Sequence, residues 1–161
     1  MTAMYQSTTP PSRPVVEAGR LWAGGAATAV VAALIAVVGI LVGRGLFGID
    51  VLAPKGAGVW GDARTGWYAL GAAILSLVAT GLMHLLLLFN PRPMLFFGWV
   101  MTLATVTAML APFVTEEDLG SRLFTAGLNF ILGVAIGSLV AGSAHAAMHA
   151  GPVRPEIRPY R

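Results

Sequence analysis

Three polar residues share one face of a segment that is otherwise apolar. Ser76, Thr80 and His84 follow Ala72 at four-residue steps, so in a helix they lie above one another. An ionisable side chain in apolar surroundings is costly to bury and is therefore a candidate for proton uptake or ligand binding. The alternative is a neutral imidazole that is hydrogen-bonded to a neighbouring helix. We expect this neutral form because no carboxylate lies within the apolar segments of the chain.

A second set of polar residues lies in the two apolar segments that follow. Asn129 needs a hydrogen-bond partner in such surroundings, and Thr102 and Thr105 of the preceding segment share a face and are the candidate partners. The simplest role is hydrogen bonding between helices, and a solute pathway is the alternative. The candidate intramembrane polar site therefore comprises Ser76, Thr80, His84, Thr102, Thr105 and Asn129.

The remaining histidines and acidic residues do not predict a metal site. His145 and His149 have ligand spacing, but the HAAMH segment lacks the glutamate with which the zinc-protease motif HExxH activates water. The carboxylates of Glu116, Glu117 and Asp118 are adjacent in sequence and point in different directions on a helix. We expect hydrated helix ends at both places and no bound metal.

No motif predicts an enzyme or a cofactor. The chain has no cysteine, which excludes thiol catalysis, disulfides and cysteine-ligated metals. No phosphate-binding glycine loop, nucleophile elbow or pair of catalytic carboxylates is present in the sequence. Basic residues form no stripe with interleaved aromatics, so nucleic-acid binding is not expected either.

Four apolar segments determine where these residues lie. They run over about 21–43, 66–89, 94–114 and 123–147, and each is long enough to cross a hydrocarbon layer about 30 Å thick. Charged residues make up 11% of the chain, against about 25% in typical soluble domains. The sequence therefore predicts an all-α polytopic membrane protein with four transmembrane helices in an antiparallel bundle. Residues 1–20 form a flexible N-terminal tail, 21–147 the transmembrane domain and 148–161 a C-terminal tail.

Prolines, glycines and caps mark the ends and contacts of these segments. Pro91 and Pro93 stop the second segment and force an antiparallel hairpin with the third. Thr115 is the predicted N-cap of the fourth helix, with acidic residues in its first turn. Small residues at four-residue spacing indicate close helix packing or a face for a second copy of the chain. The strongest candidates are Gly39, Gly43, Gly133 and Gly137.

The basic residues predict the orientation of the bundle. Both tails and the turn at residues 90–93 carry six basic and two acidic residues, while the opposite side carries four basic and five acidic residues. Lys and Arg are enriched on the cytoplasmic side of membrane proteins. We therefore expect a multi-pass protein of the cell membrane with both termini in the cytoplasm.

Short motifs along the chain resemble those of an uncharacterised family. LWAGG at 21–25, VLAPKG at 51–56, WGDA at 60–63, NPRP at 90–93, FFGW at 96–99 and APF at 111–113 occur in this order. They resemble a group of small four-helix membrane proteins of actinobacteria that has no assigned function, over about residues 21–144. The resemblance implies the four-helix fold and a bacterial inner membrane, and it implies no catalytic residue.

Two functions are compatible with this sequence. We favour a non-enzymatic integral membrane protein that serves as a structural or accessory subunit, surrounded by the lipid bilayer and associated with a second copy or another membrane protein. The alternative is a small transporter or channel component with a polar path around His84. An enzyme that acts on quinones or lipids is a third and weaker hypothesis, because no residue predicts its chemistry.

Overall fold

A computed structural model describes residues 17–46, 64–114, 116 and 118–149, with the side chains of residues 64, 65 and 149 left aside. Four α-helices account for most of this part of the chain: α1 (Ala18–Leu46), α2 (Arg64–Phe89), α3 (Pro93–Leu110) and α4 (Leu119–His149). A short 3₁₀ helix at Ala111–Val114 extends α3. All four helices are long and apolar enough to cross a membrane. The all-α four-helix membrane bundle predicted from the sequence is thus confirmed.

Several helices are longer than the apolar segments that predicted them. α1 has 29 residues and α4 has 31, so at 1.5 Å per residue both exceed a hydrocarbon core about 30 Å thick. Hydropathy marks only the part of a helix that hydrocarbon surrounds. The backbone hydrogen bonds continue beyond it, through Arg20 and Arg44 in α1 and Arg122 in α4. Residues 18–20 and 148–149 of the predicted tails are helical, and the rest of the tails beyond residue 17 at one end and residue 149 at the other, like the loop at 47–63, lies outside the described residues.

Contacts between helices define an antiparallel arrangement centred on α1 and α4. Gly24 of α1 lies against Ser143 of α4, and Gly43 lies against Phe124, so the two helices run in opposite directions. α2 packs on α1 and more weakly on α4, while α3 packs mainly on α4. Among the described residues α1 and α3 do not touch. Phe97 is the single buried residue of α3, which therefore lies at the edge of the bundle.

Hydrogen bonds from backbone N–H groups to side chains occur in the α2–α3 turn and at the start of α4. At the α2–α3 turn the Arg92 backbone N–H donates to Asn90 Oδ1 over 3.0 Å, and Pro93 begins α3, where a missing N–H costs nothing. At the start of α4 the Gly120 N–H donates to Asp118 Oδ2 over 2.9 Å. Asp118 is therefore the N-cap, and the acidic residues precede the helix instead of entering its first turn. The predicted cap, Thr115, lies outside the described residues.

Candidate functional site

His84 is joined to α1 by a hydrogen bond. The Trp22 indole N–H donates to His84 Nδ1 over 3.0 Å, and the two ring centroids are 6.3 Å apart. An indole nitrogen only donates, so Nδ1 is the acceptor in this contact. The bond joins α2 to α1.

Ser76 and Thr80 lie on the side of α2 that meets α1. Both are fully buried, and the Thr80 hydroxyl donates to the Ser76 carbonyl over 2.9 Å. A Cβ built on Gly25 of α1 would lie 2.9 Å from Thr80 Cβ, so the absence of a side chain at Gly25 is what admits Thr80. The Ser76 hydroxyl is buried and has no hydrogen-bond partner among the described residues. This stripe is a packing surface between two helices.

Asn129 connects three helices through its amide group. The Tyr68 hydroxyl of α2 donates to Asn129 Oδ1, and Asn129 Nδ2 donates to the Ala108 carbonyl of α3 over 2.7 Å. The partners of Asn129 are therefore a tyrosine and a backbone carbonyl, not the hydroxyls of Thr102 or Thr105 as predicted. We call this set, Tyr68, Asn129 and the Ala108 carbonyl, the amide clasp.

Pro112 explains why the Ala108 carbonyl accepts from a side chain. In an α-helix the carbonyl of residue 108 receives the N–H of residue 112, and proline has none. The Ala111 N–H still bonds to the Thr107 carbonyl, after which the chain continues as the 3₁₀ helix. Burying an unpaired carbonyl in hydrocarbon is costly. Asn129 thus replaces the donor that Pro112 removes.

Thr102 and Thr105 form no site with Asn129. Their hydroxyls donate to the carbonyls four residues earlier, Thr102 to Gly98 and Thr105 to Met101, over 2.8 and 2.7 Å. Thr102 is exposed on the outer side of α3, whereas Thr105 is half-buried against α4. Threonine bonded in this way hides its hydroxyl from hydrocarbon and presents a methyl group instead.

The four glycines predicted to mediate helix packing differ in how closely they approach a neighbouring helix. A Cβ on Gly39 would lie 2.9 Å from Leu128 Cδ2, and one on Gly43 would lie 2.7 Å from Phe124 Cε1, so both glycines admit α4 side chains. Gly133 is equally close to Thr105 of α3, with 2.9 Å to its Cβ. At Gly137 the nearest atoms belong to Met101 at 3.7 Å, which is ordinary contact. Of the predicted α4 pair, Gly133 is therefore the restrictive position.

An apolar cleft of about 560 Å³ lies between α2 and α3, with α4 as its floor. It begins at Trp67 and Tyr68, extends to Leu82 along α2, and is bordered by Val100 to Ala108 of α3. Asn129 and Thr105 contribute its other polar atoms. The amide clasp therefore lies at one end of a space lined mostly by hydrocarbon.

The candidate metal ligands do not converge. In the part of the chain that the structure describes, no three His, Asp or Glu residues are grouped as a metal site requires. His145 is exposed, with Nδ1 3.0 Å from the Ala141 carbonyl of its own helix. Glu116 is exposed before α4, and the side chain of His149 and Glu117 lie outside the described residues.

The sequence contained signals for two contacts that pattern analysis missed. Pro112 identifies Ala108 as a carbonyl without a donor, because the two are four residues apart, so a partner for Asn129 could have been sought there. Trp22 and Tyr68 are amphipathic residues near helix ends, where interfacial aromatics are common. Their pairing with His84 and Asn129 depends on the register between helices, and this register cannot be read from a single sequence.

Four packed apolar helices with polar groups bonded between or within them define a multi-pass membrane protein. Residues 16–146 match the model of a family of unknown function, DUF6069. The match covers most of the chain, which therefore belongs to this family, and the resemblance to an uncharacterised family is confirmed. Searches of curated proteins and of solved structures found no match.

Proposed function

We propose that this protein is a non-enzymatic structural or accessory subunit of a bacterial inner membrane, with both termini in the cytoplasm. The observation that carries the proposal is the amide clasp, in which Asn129 uses its carbonyl oxygen and one N–H to join α2, α3 and α4. Polar groups used in this way stabilise helix association and leave little for solute coordination. The excess of basic residues on the side of the tails supports the orientation.

The transporter alternative has less support. A polar path requires groups that follow one another through the membrane, and here they lie on separate interfaces. Thr80 packs on Gly25 of α1, whereas Asn129 bonds to α2 and α3. Between Tyr68 and Thr80 the buried positions of α2 are Ala69, Ala72, Ser76 and Ala79, so Ser76 alone offers a hydrogen-bonding side chain there.

The position of α3 supports an accessory role. One buried residue anchors this helix within its span, and large apolar side chains cover its outer face, among them Leu95, Trp99, Leu103 and Val106. A helix held from one side leaves the other side available to a transmembrane helix of a partner or of a second copy. The α1 surface serves as a comparison, since Leu41 is as exposed as Leu103, at 62%.

Photo-crosslinking in intact membranes tests the accessory role. A photoreactive residue at position 103 should yield one reproducible protein adduct, and the same residue at position 41 should yield none. If the adduct contains a different membrane protein, deleting the gene for this chain should lower the abundance of that partner. If it contains two copies, the homo-oligomeric version of the proposal is supported. Lipid adducts alone at both positions would contradict the proposal.

A further inference from the structure

We propose that the cleft between α2 and α3 binds one acyl chain of a membrane glycerolipid, with the ester carbonyl of that chain at the amide clasp. The cleft exists because the facing residues are small: Gly71 and Ala72 on α2, Ala104 and Ala108 on α3, and Gly133 on α4. α2 and α3 are joined by a tight turn, yet away from it their side chains do not fill the space between them. This binding site is independent of the accessory role.

The chemistry of the lining selects hydrocarbon. No charged residue lines the cleft, and its polar side chains are Trp67, Tyr68, Thr105 and Asn129. The Thr105 hydroxyl is already bonded to the Met101 carbonyl. Water or a charged ligand placed beside Leu75, Leu82 or Leu132 would lose hydrogen bonds that these residues do not replace.

The dimensions fit a single chain. A methylene group is roughly the size of a water molecule, about 30 Å³ of liquid volume, so about 560 Å³ holds on the order of eighteen such groups. From Trp67 to Leu82 the cleft extends about 22 Å along α2 at 1.5 Å per residue.

The amide clasp provides a hydrogen bond at the correct end. An amide nitrogen carries two N–H groups, and Asn129 uses one of them for the Ala108 carbonyl. The second is left for a neutral acceptor, and an ester carbonyl is one. Tyr68 lies four residues from the start of α2, about 6 Å along the helix, beside the exposed Trp67. Aromatic residues near a helix end are typical of the membrane interface, where the ester groups of a bilayer lie.

A photoactivatable lipid tests the proposal on the full-length protein. The protein is reconstituted in vesicles of phosphatidylethanolamine and phosphatidylglycerol that contain a trace of phosphatidylglycerol with a diazirine in one acyl chain, and adducts are mapped by mass spectrometry. Residues of the cleft that are buried or half-buried, such as Leu82, Met101 and Leu132, should carry severalfold more label than exposed Leu103. Equal labelling of cleft and outer surface would overturn the proposal.

Two glycine variants provide a matched pair on α2. A Cβ at Gly71 or at Gly81 meets no atom within 4 Å, so Leu should be accommodated at either position, but only Gly71 lines the cleft. Gly71→Leu should therefore abolish the excess label in the cleft, and Gly81→Leu should leave it unchanged. Unchanged label in a folded Gly71→Leu variant would contradict the site.

Competition between unlabelled lipids and the photoactivatable probe identifies the ligand. Unlabelled ester-linked phosphatidylglycerol should displace the probe from the cleft more effectively than ether-linked phosphatidylglycerol, which lacks the carbonyl. Equal displacement by the two lipids would refute the hydrogen bond to the clasp. Displacement by a prenylated quinone at concentrations where the ester lipid has no effect would overturn the choice of a glycerolipid.

Discussion

At the scale of single residues, several threonine and serine hydroxyl groups are bonded within their own helix and pack as apolar groups. Thr80, Thr105 and Ser143 each donate to the carbonyl four residues earlier, and each lies against a glycine of a neighbouring helix. A small residue opposite a glycine allows two backbones to approach closely, which is how membrane helices gain packing energy. The polar stripe on α2 is thus explained by packing at Thr80 and by one interhelical hydrogen bond at His84.

His84→Leu should lower the thermal stability of the protein in detergent, because the Trp22 N–H loses its acceptor. The expected loss is roughly 1 kcal/mol, as for other interhelical hydrogen bonds. His84→Gln should stay close to the wild type, since the amide oxygen accepts from the same indole. Trp22→Phe combined with His84→Leu should cost less than the sum of the single substitutions. Equal stability of the Leu and wild-type proteins would show that the bond contributes nothing.

Sequence patterns identified the polar residues that form hydrogen bonds between helices, but they did not identify the residues to which these bond. His84 stands out because it is ionisable within an apolar segment, and a neutral, hydrogen-bonded imidazole follows from the lack of carboxylates. Its donor, Trp22, is 62 residues away, so finding it requires the register of α1 on α2. For Asn129 the sequence favoured threonines by composition, whereas the structure supplies Tyr68 and a backbone carbonyl.

At the scale of elements, a break in one helix is repaired by a side chain of another. Pro112 removes the donor to the Ala108 carbonyl, and Asn129 supplies one from α4. This exchange ties the end of α3, which has few buried residues, to the centre of the bundle. The hydrogen bond and the proline should therefore be coupled in stability.

Asn129→Ala should lower stability by roughly 1–2 kcal/mol, since two interhelical hydrogen bonds are lost. Pro112→Ala restores an N–H four residues after Ala108, so in that background Asn129→Ala should cost less. A double-mutant cycle of thermal unfolding in detergent measures the difference. Strictly additive effects would mean that the Ala108 carbonyl does not depend on Asn129.

The contact between α3 and α4 predicts opposite outcomes at two glycines one turn apart. Gly133→Ala should destabilise the protein by about 1–3 kcal/mol, because the added methyl overlaps Thr105, whose hydroxyl is already bonded. Gly137→Ala should be neutral or slightly stabilising, since its Cβ meets Met101 at ordinary distance and alanine favours helix. Similar losses at both positions would indicate that α3 packs differently on α4.

Hydropathy was sufficient to find the four helices but not their arrangement. Each helix is apolar around most of its circumference, so periodicity does not distinguish the faces that meet other helices from those that meet lipid. The peripheral place of α3 and the cleft beside it follow from three-dimensional packing of small residues. The start of α4 was also displaced, because the cap is Asp118, the last of the three acidic residues, and the helix begins after it.

At the scale of the whole molecule, antiparallel packing brings the beginning of α1 and the end of α4 to the same side of the bundle. Gly24 meets Ser143 there, and Trp22 meets His84 near the α2–α3 turn. The start of α1, the end of α4 and this turn therefore lie at the same end of the bundle, and the sequence segments that contain or adjoin them carry the larger number of basic residues.

Reporter fusions test the orientation of that end of the bundle. A reporter after Arg161 should be active in the cytoplasm, and one inserted near Gly56 should be active outside, because Lys and Arg favour the cytoplasmic side. The same reporter, expressed alone as a soluble cytoplasmic protein, serves as the control for expression. Reversal of both signals would refute the orientation, and it would mean that the intact bundle is inverted in the membrane.

The central claim is that the polar groups within the membrane hold helices together and do not conduct. Proton flux into proteoliposomes, followed with an internal pH-sensitive dye under an imposed pH gradient, tests it most directly. Wild-type protein should give the same rate as protein-free vesicles, and folded His84→Gln should not differ from either. Flux above the protein-free rate that disappears in folded His84→Gln would contradict the claim and favour the transporter alternative.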